Sequence, residues 1–109
     1  MHQRVFVGPD GVTTFAPLDL TEMAAASAGS SAQMVWSSRP AGSMQDWHNA
    51  DCPMFIVTLR GEMEVEIEGG RTARFGPGDV RLALDTTGPG HVSRVLGSEP
   101  WEFVVLMLA

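Results

Sequence analysis

Alternation of apolar and polar side chains is the dominant pattern of this sequence. It is strictest over Glu62–Glu68, where three apolar residues alternate with four glutamates. A period of two places successive side chains on opposite faces of a strand, so this segment is predicted to be a strand with one face in the core and one in water. Gly69 and Gly70 permit the positive φ angles of a tight hairpin, and R-T-A-R-F is predicted to return as the partner strand.

Other strands are predicted along the rest of the chain. V-R-L-A-L and H-V-S-R-V-L alternate in the same way, whereas M-F-I-V-T-L and F-V-V-L-M-L are apolar on both faces. Strands of the second kind are covered on both sides, here by a second sheet and by either an N-terminal segment or another subunit. In all we predict about nine or ten short strands, at turn spacings typical of a sandwich or barrel.

The chain length permits one domain. Its 109 residues fit a single unit, with 1–31 forming N-terminal strands and a loose segment and 32–109 forming the barrel. No apolar run approaches the ~20 residues that span a bilayer, and the first ten residues lack the apolar stretch of a signal peptide. A single cysteine fits a reducing compartment. We therefore expect a cytoplasmic protein with no membrane partner.

Charge and composition narrow the chemistry further. The formal charge of −6 argues against a nucleic-acid partner, because an acidic surface repels phosphates. The chain has no lysine and no tyrosine, which excludes Schiff-base chemistry on a lysine and proton transfer from a phenol. Acid–base chemistry would therefore fall to histidine, to a carboxylate or to the lone thiol.

The stretch from Asp46 to Val95 resembles the cupin superfamily of small jelly-roll barrels. In the family, a first motif of two histidines and a glutamate ends in a glycine, which Gly61 supplies here. In the region of the second motif, the P-G-D turn at Pro77–Asp79 resembles the family's usual strand entry. Gly88 stands three residues before the histidine, His91, and Thr86 occupies the proline position before Gly88. More narrowly, D-W-H-N-A and D-T-T-G-P-G-H resemble small bacterial single-domain cupins. The resemblance implies an all-β, cupin-type jelly-roll barrel of antiparallel strands and, as is usual in the family, a homodimer.

The metal ligands that the resemblance would supply are only partly present. The glutamate position, seven residues before Gly61, holds Met54, and the asparagine position after the second-motif histidine holds Val95. His91 matches a ligand position, and His48 matches one only with the shorter motif spacing. Two imidazoles make a weak mononuclear site, because such centres generally use three protein ligands. No cofactor is favoured.

If a divalent metal is bound, its ligands are expected to be His48 and His91, with Asp46 or Cys52 as the third. The candidate ions are Fe, Mn, Zn, Ni and Cu.

His48 and His91 are also the candidate catalytic residues. The resemblance places His91 on an inward face together with Ser93, and it places Met54 and its alternating neighbours on the face that lines the interior. Asp46, two residues before His48, is expected on the same strand face, where it would orient the imidazole, bind a metal or lie in solvent. Tryptophans are expected to fill the core or to form stacking walls. The predicted pocket-lining residues are Trp36, Asp46, Trp47, Met54, Ile56, Thr58 and Ser93.

Three functions remain open on the sequence alone. The first is an enzyme that acts on a small, largely apolar substrate by histidine acid–base chemistry, of isomerase, cyclase or lyase type. In it, burial would keep a histidine neutral and able to accept a proton. The second is a metal-dependent, oxygenase-like cupin with His48 and His91 as ligands. The third is a non-catalytic module that binds or senses a small molecule.

Overall fold

The architecture of the chain is almost entirely β. The computed structural model describes residues 2–27 and 33–108. Within these ranges it contains ten strands and one helix, in the order β1 (His2–Val7), β2 (Thr13–Pro17), α1 (Leu20–Ser27), β3 (Gln33–Arg39), β4 (Met44–His48), β5 (Met54–Arg60), β6 (Glu62–Glu66), β7 (Thr72–Phe75), β8 (Val80–Ala83), β9 (His91–Leu96) and β10 (Trp101–Met107).

The strands form two sheets. The larger has the order β2-β1-β8-β5-β10-β3, and the smaller has the order β4-β9-β6-β7. The predicted all-β jelly-roll class is confirmed, with one correction to its antiparallel strands. β1 and β8 pair in parallel, with Gln3 opposite Arg81. A hairpin would force antiparallel pairing, but β1 comes from the start of the chain and no hairpin joins it to β8. The N-terminal strands are therefore part of the larger sheet.

The core lies between the two sheets. Met63 and Val65 of β6 are buried, and they belong to one cluster with Ile56 and Phe103 of the larger sheet. The glutamates of β6 lie on the opposite face, where Glu66 accepts a hydrogen bond from Arg94 at 2.6 Å. This confirms the one-face-buried prediction for this segment, and the hairpin to β7 forms as predicted.

The outer face of the larger sheet has its own cover. Leu18 is buried there against Phe55 and Leu82, and Met23 of α1 packs against the same cluster. Of the two covers predicted for the doubly apolar strands, the N-terminal segment is therefore the one observed.

Helix α1 corrects the expectation that this segment stays loose. The Asp19 side chain accepts a hydrogen bond from the backbone N–H of Glu22 at 2.8 Å, as the N-cap of a helix does. Asp19 followed three residues later by Glu22 was the available sequence signal. The rest of the predicted loose segment, residues 28–31, lies outside the described residues, as does residue 32, where the barrel was predicted to begin. Within 2–27 and 33–108, no helix has the length and apolar character needed to cross a membrane.

Candidate active site

A cavity of about 220 Å³ lies between the two sheets. The larger sheet supplies a mostly apolar wall, made of Met54, Ile56, Ala83, Trp101, Phe103 and Val105. The smaller sheet supplies a polar wall, made of Gln45, His48, His91 and Ser93. The rest of the lining comes from two arginines, Arg39 and Arg81, and from the loop after β4, with Asn49, Ala50 and Asp51. The cavity thus combines an apolar surface with a few convergent polar groups, as ligand sites do.

An irregular register in β4 brings the two histidines together. Gln45 pairs with Ser93 and His48 with His91, so three steps along β4 match two steps along β9. The extra residue is a β-bulge, which reverses the inward and outward alternation of the strand. As a result both His48 and Gln45 face the cavity, and the imidazoles of His48 and His91 lie edge to face, 4.3 Å between ring centroids.

His91 is held by a buried carboxylate. Its Nδ1 lies 2.5 Å from Oδ2 of Asp85, and both side chains are almost completely inaccessible to solvent. A carboxylate accepts hydrogen bonds, so it fixes the tautomer with the proton on Nδ1 and leaves the lone pair of neutral His91 on Nε2. This arrangement prepares Nε2 to take a proton, and the carboxylate would stabilise the resulting imidazolium.

His48 is held by the backbone instead. Its Nδ1 lies 2.7 Å from the carbonyl oxygen of Asp46, which again places the proton on Nδ1 and the lone pair on Nε2. Burial lowers the pKa of His48 below its ordinary value of 6.5, and the hydrogen bond to Asp46 opposes this only partly. The charge of Arg81 lowers that pKa further, and the carboxylate of Asp85 has a smaller, opposite effect. His48 is therefore a neutral imidazole at neutral pH.

The loop that carries Asp85 also positions the segment after His48. The Asn49 side chain donates hydrogen bonds to the carbonyls of Thr87 and Gly88, both at 3.0 Å, and the Ala50 N–H donates to the Asp85 carbonyl at 3.1 Å. Gly90 packs against the backbone of His48, and a Cβ atom on Gly90 would collide with the His48 carbonyl oxygen. The loop that contains Asp85 therefore holds both His91 and the chain segment that follows His48.

Comparison with known proteins identifies the fold. No family model matches the chain, and no curated protein matches it by sequence. Among solved structures, an RmlC-like cupin protein with a double-stranded β-helix fold from Methanocaldococcus jannaschii is similar, with a TM-score of 0.59 and 17% identity over 71% of this chain and 69% of that one. The chain has a cupin fold.

Two further structures of this kind carry named activities. The polyketide cyclase RemF from Streptomyces resistomycificus has a TM-score of 0.59 and 16% identity, over 95% of this chain and 72% of that one. DMSP lyase DddQ from Ruegeria pomeroyi has a TM-score of 0.55 and 24% identity over 70% of this chain, which spans only 37% of that enzyme.

The cupin fold explains the first-motif glycine in physical terms. Gly61 has a φ of 80°, in the left-handed region that favours glycine. A Cβ atom at this position would also collide with the carbonyl of Pro100. The glycine is thus required by the close approach of β10 to the turn between β5 and β6.

The predicted pocket-lining residues separate into two groups. Met54, Ile56 and Ser93 line the cavity together with both histidines. Thr58 is buried beside it, where its hydroxyl accepts a hydrogen bond from Nε1 of Trp101 at 3.0 Å and does not line the cavity.

Trp36, Trp47 and Asp46 lie outside the cavity, which corrects the expectation for all three. Trp36 pairs with Val104 on the outer face of the larger sheet and is 67% exposed. In β4 the bulge turns Trp47 and Asp46 outward, so the assumption that Asp46 shares a face with His48 was wrong. It is the backbone carbonyl of Asp46, not its carboxylate, that orients the imidazole.

The ligand set expected for a metal does not assemble. The cavity lining includes His48 and His91 but neither Asp46 nor Cys52. The position that corresponds to the family's glutamate is occupied by Met54, whose side chain offers a thioether instead of a carboxylate. Among the described residues no group of three or more His, Cys, Asp and Glu side chains is arranged to hold a metal ion. The third donor that a mononuclear centre generally needs is thus not supplied by these residues.

Two buried residues of the site, Asp85 and Arg81, were not sequence candidates. Asp85 begins the D-T-T-G-P-G-H stretch that resembles small bacterial cupins, but that resemblance gave it no role. Asp85 lies six residues before His91 and is brought to it by the turn that precedes β9. Arg81 alternates with Val80 and Leu82, so its inward direction could have been inferred only from knowing which face of β8 meets the cavity.

Proposed function

We propose that this protein is a small-molecule enzyme that abstracts and returns a proton by histidine acid–base chemistry, with His91 as the general base. The observation that carries the proposal is the buried hydrogen bond between His91 Nδ1 and Asp85 Oδ2 in the wall of a cavity. A neutral imidazole with an oriented lone pair and a carboxylate behind it is suited to take a proton from carbon or from a hydroxyl group.

The reaction begins with transfer of a substrate proton to His91 Nε2. The imidazolium that forms is stabilised by Asp85, and the proton is then returned to a different substrate atom or to a leaving group. Return to another carbon gives an isomerase. In a cyclase the carbanion attacks a carbonyl carbon of the same molecule, and the proton goes to the carbonyl oxygen, which has taken the electron pair. In a lyase the bond to a leaving group breaks as the double bond forms, and the leaving group takes the proton. His48 stays neutral, and its Nε2 accepts a hydrogen bond from a substrate hydroxyl or enol beside the reacting centre.

The size and walls of the cavity restrict the substrate. A volume of about 220 Å³ lies below the ~300–1,000 Å³ typical of sites for drug-sized ligands, so the substrate is small. The apolar wall accommodates a hydrocarbon portion. The cyclase and the lyase among the cupin-fold structures show that named small-molecule enzymes share this fold, and they support the class of reaction rather than a particular substrate.

Proton abstraction can be measured without knowledge of the product. The protein would be incubated in D₂O with a panel of small ketones, keto acids and unsaturated acids, and loss of C–H signals would be followed by proton NMR. We expect wild-type protein to exchange one class of C–H, and His91→Gln and Asp85→Asn to reduce the rate by ~10²–10⁴-fold. His2→Gln is the matched control, because His2 lies outside the cavity and bonds the backbone of Val80.

Two outcomes would contradict the proposal. Exchange at the wild-type rate in His91→Gln would remove His91 as the base. Compounds that raise Tm but show no exchange in any variant would instead favour the non-catalytic binding module, because ligand binding alone stabilises the folded state.

A further inference from the structure

Arg81 is a buried cation that forms no ion pair with any described residue. Only 6% of the residue is exposed, and its Nε and Nη1 atoms have no hydrogen-bond partner among the described residues. Burial lowers the pKa of Arg81 to about 10, which still leaves the guanidinium charged at neutral pH. An unpaired buried charge is strongly unfavourable, so a protein that retains one in a cavity wall is expected to pair it with a ligand.

Asp85 does not fill this role. It is the buried carboxylate of the same site and its charge raises the pKa of Arg81, but its Oδ2 is bonded to His91 and no ion pair joins it to Arg81 within the described residues. The other feature near the guanidinium is the ring of Phe75, with its centroid 5.8 Å from Cζ, at the outer limit of a cation–π contact. The guanidinium donors of Arg81 are therefore left for a molecule in the cavity that its side chain lines.

Arg39 adds a second positive charge to the same cavity. It lies at the end of β3 opposite Trp101, its side chain contributes to the lining, and no described carboxylate pairs with it. Its charge also lowers the pKa of Arg81, so the two guanidinium groups repel each other across the site. An anion bound between them would relieve this repulsion.

We propose that Arg81 and Arg39 bind the carboxylate of a small monocarboxylic acid. The hydrocarbon part of the acid lies against Met54, Ile56 and Phe103, on the opposite side from the imidazoles. The inference rests on the proposed function and specifies its substrate class, and it replaces the expectation of a largely apolar substrate with that of an amphipathic one. Arginine suits this role because its planar donors match the two oxygens of a carboxylate.

The test compares acids with uncharged molecules of the same shape. The probes are the carboxylates from propionate to hexanoate and their primary amides, with Kd measured by calorimetry and Tm by thermal shift. We expect the best acid to bind wild-type protein about 10- to 100-fold more tightly than its amide, as a charge-assisted hydrogen bond allows. Arg81→Met and Arg39→Gln should remove this preference, whereas Arg60→Met should keep it, because Arg60 lies outside the cavity in ion pairs with Glu99 and Glu102.

The Tm of unliganded Arg81→Met separates a binding role from a structural one. An unpaired buried cation destabilises the fold, so Tm should stay level or rise when it is replaced by an apolar side chain of similar length. A lower Tm together with an unchanged acid preference would show that Arg81 is structural and overturn the proposal. Arg39 is partly exposed, so Arg39→Gln provides a second variant that does not depend on a core substitution.

The binding measurement and the exchange measurement test separate proposals, so either proposal can be contradicted without the other. Equal affinity for acids and amides overturns the carboxylate site even if C–H exchange requires His91. A clear acid preference that persists in His91→Gln supports the carboxylate site even if no exchange is ever detected, in which case only the proposed reaction fails.

Discussion

Among single residues, Asp85 organises the site through both its side chain and its backbone. Its carboxylate accepts the hydrogen bond from His91, and its carbonyl accepts the Ala50 N–H just after His48. One residue therefore sets the tautomer of one imidazole and anchors the strand end that carries the other. An aspartate in a glycine-rich turn is common for local reasons, so the sequence carried no sign of this role.

The ionisation of His48 predicts how stability depends on pH. Its pKa is lowered in the folded protein, so the unfolded chain binds a proton more readily below the ordinary value of 6.5. The free energy of unfolding should therefore be level above about pH 7 and fall as the pH drops from 6.5 toward the folded-state pKa. Urea unfolding at a series of pH values would show this slope.

Substitution of the imidazole tests the assignment. His48→Gln should flatten the pH dependence in this window, and His2→Gln should leave it unchanged. Stability that rises as the pH falls below 6.5 would mean that the folded state stabilises the protonated imidazole, contrary to the burial of His48.

Among the elements, the contact between β9 and the end of β4 is sensitive to substitution because Gly90 packs against the β4 backbone. Gly90 immediately before β9 and Gly97 immediately after it have similar φ angles, 77° and 72°. A Cβ atom at Gly90 would collide with the His48 carbonyl, whereas a Cβ atom at Gly97 would meet nothing within 4 Å. The two glycines thus share a backbone conformation, whereas Gly90 is buried against β4 and Gly97 is exposed.

We predict that Gly97→Ala costs about 1 kcal/mol of stability, for the left-handed backbone alone. Gly90→Ala should cost about 2–4 kcal/mol, because the backbone of β4 must also move. Urea unfolding gives both values, and the NMR signals of the His48 ring should shift only in Gly90→Ala. Equal costs for the two variants would show that the β4 contact adds nothing to stability.

The β4 bulge also explains which parts of the site the sequence could predict. His91 and Ser93, and likewise Met54 and Ile56, follow a regular period of two, so alternation predicts that the members of each pair share a face. That this face is the inward one was implied by the family resemblance. His48 and Asp46 lie across an inserted residue, which exchanges the two faces of the strand. No local pattern in D-W-H-N-A marks that insertion, because it is imposed by pairing with β9.

At the scale of the whole molecule, β3 is an edge strand of the larger sheet. Within residues 2–27 and 33–108 it pairs only with β10, and its side chains Met34 and Trp36 are 65% and 67% exposed. An apolar edge strand with free backbone donors and acceptors is a template for pairing with another strand. We propose that a second copy of the chain pairs here, which gives the homodimer that the family resemblance implies.

Light scattering after gel filtration tests the dimer. Wild-type protein should elute with the mass of a dimer, and Trp36→Arg should shift it to a monomer because the charge would be buried in the interface. Leu59→Arg is the control, since Leu59 is also exposed but lies on β5, away from this edge. A monomeric wild type, or equal dissociation of both variants, would contradict the proposal.

What the sequence determined by itself is local. Alternation over Glu62–Glu68, the glycine hairpin and the doubly apolar strands depend on side-chain period and turn chemistry, which neighbouring residues define. What only the tertiary structure decided is which distant groups meet: Asp85 with His91, Arg81 with the cavity, and helix α1 with the outer face. These contacts depend on strand register and on which face of each strand is covered. Neither property can be predicted from the spacing of residues along a single strand.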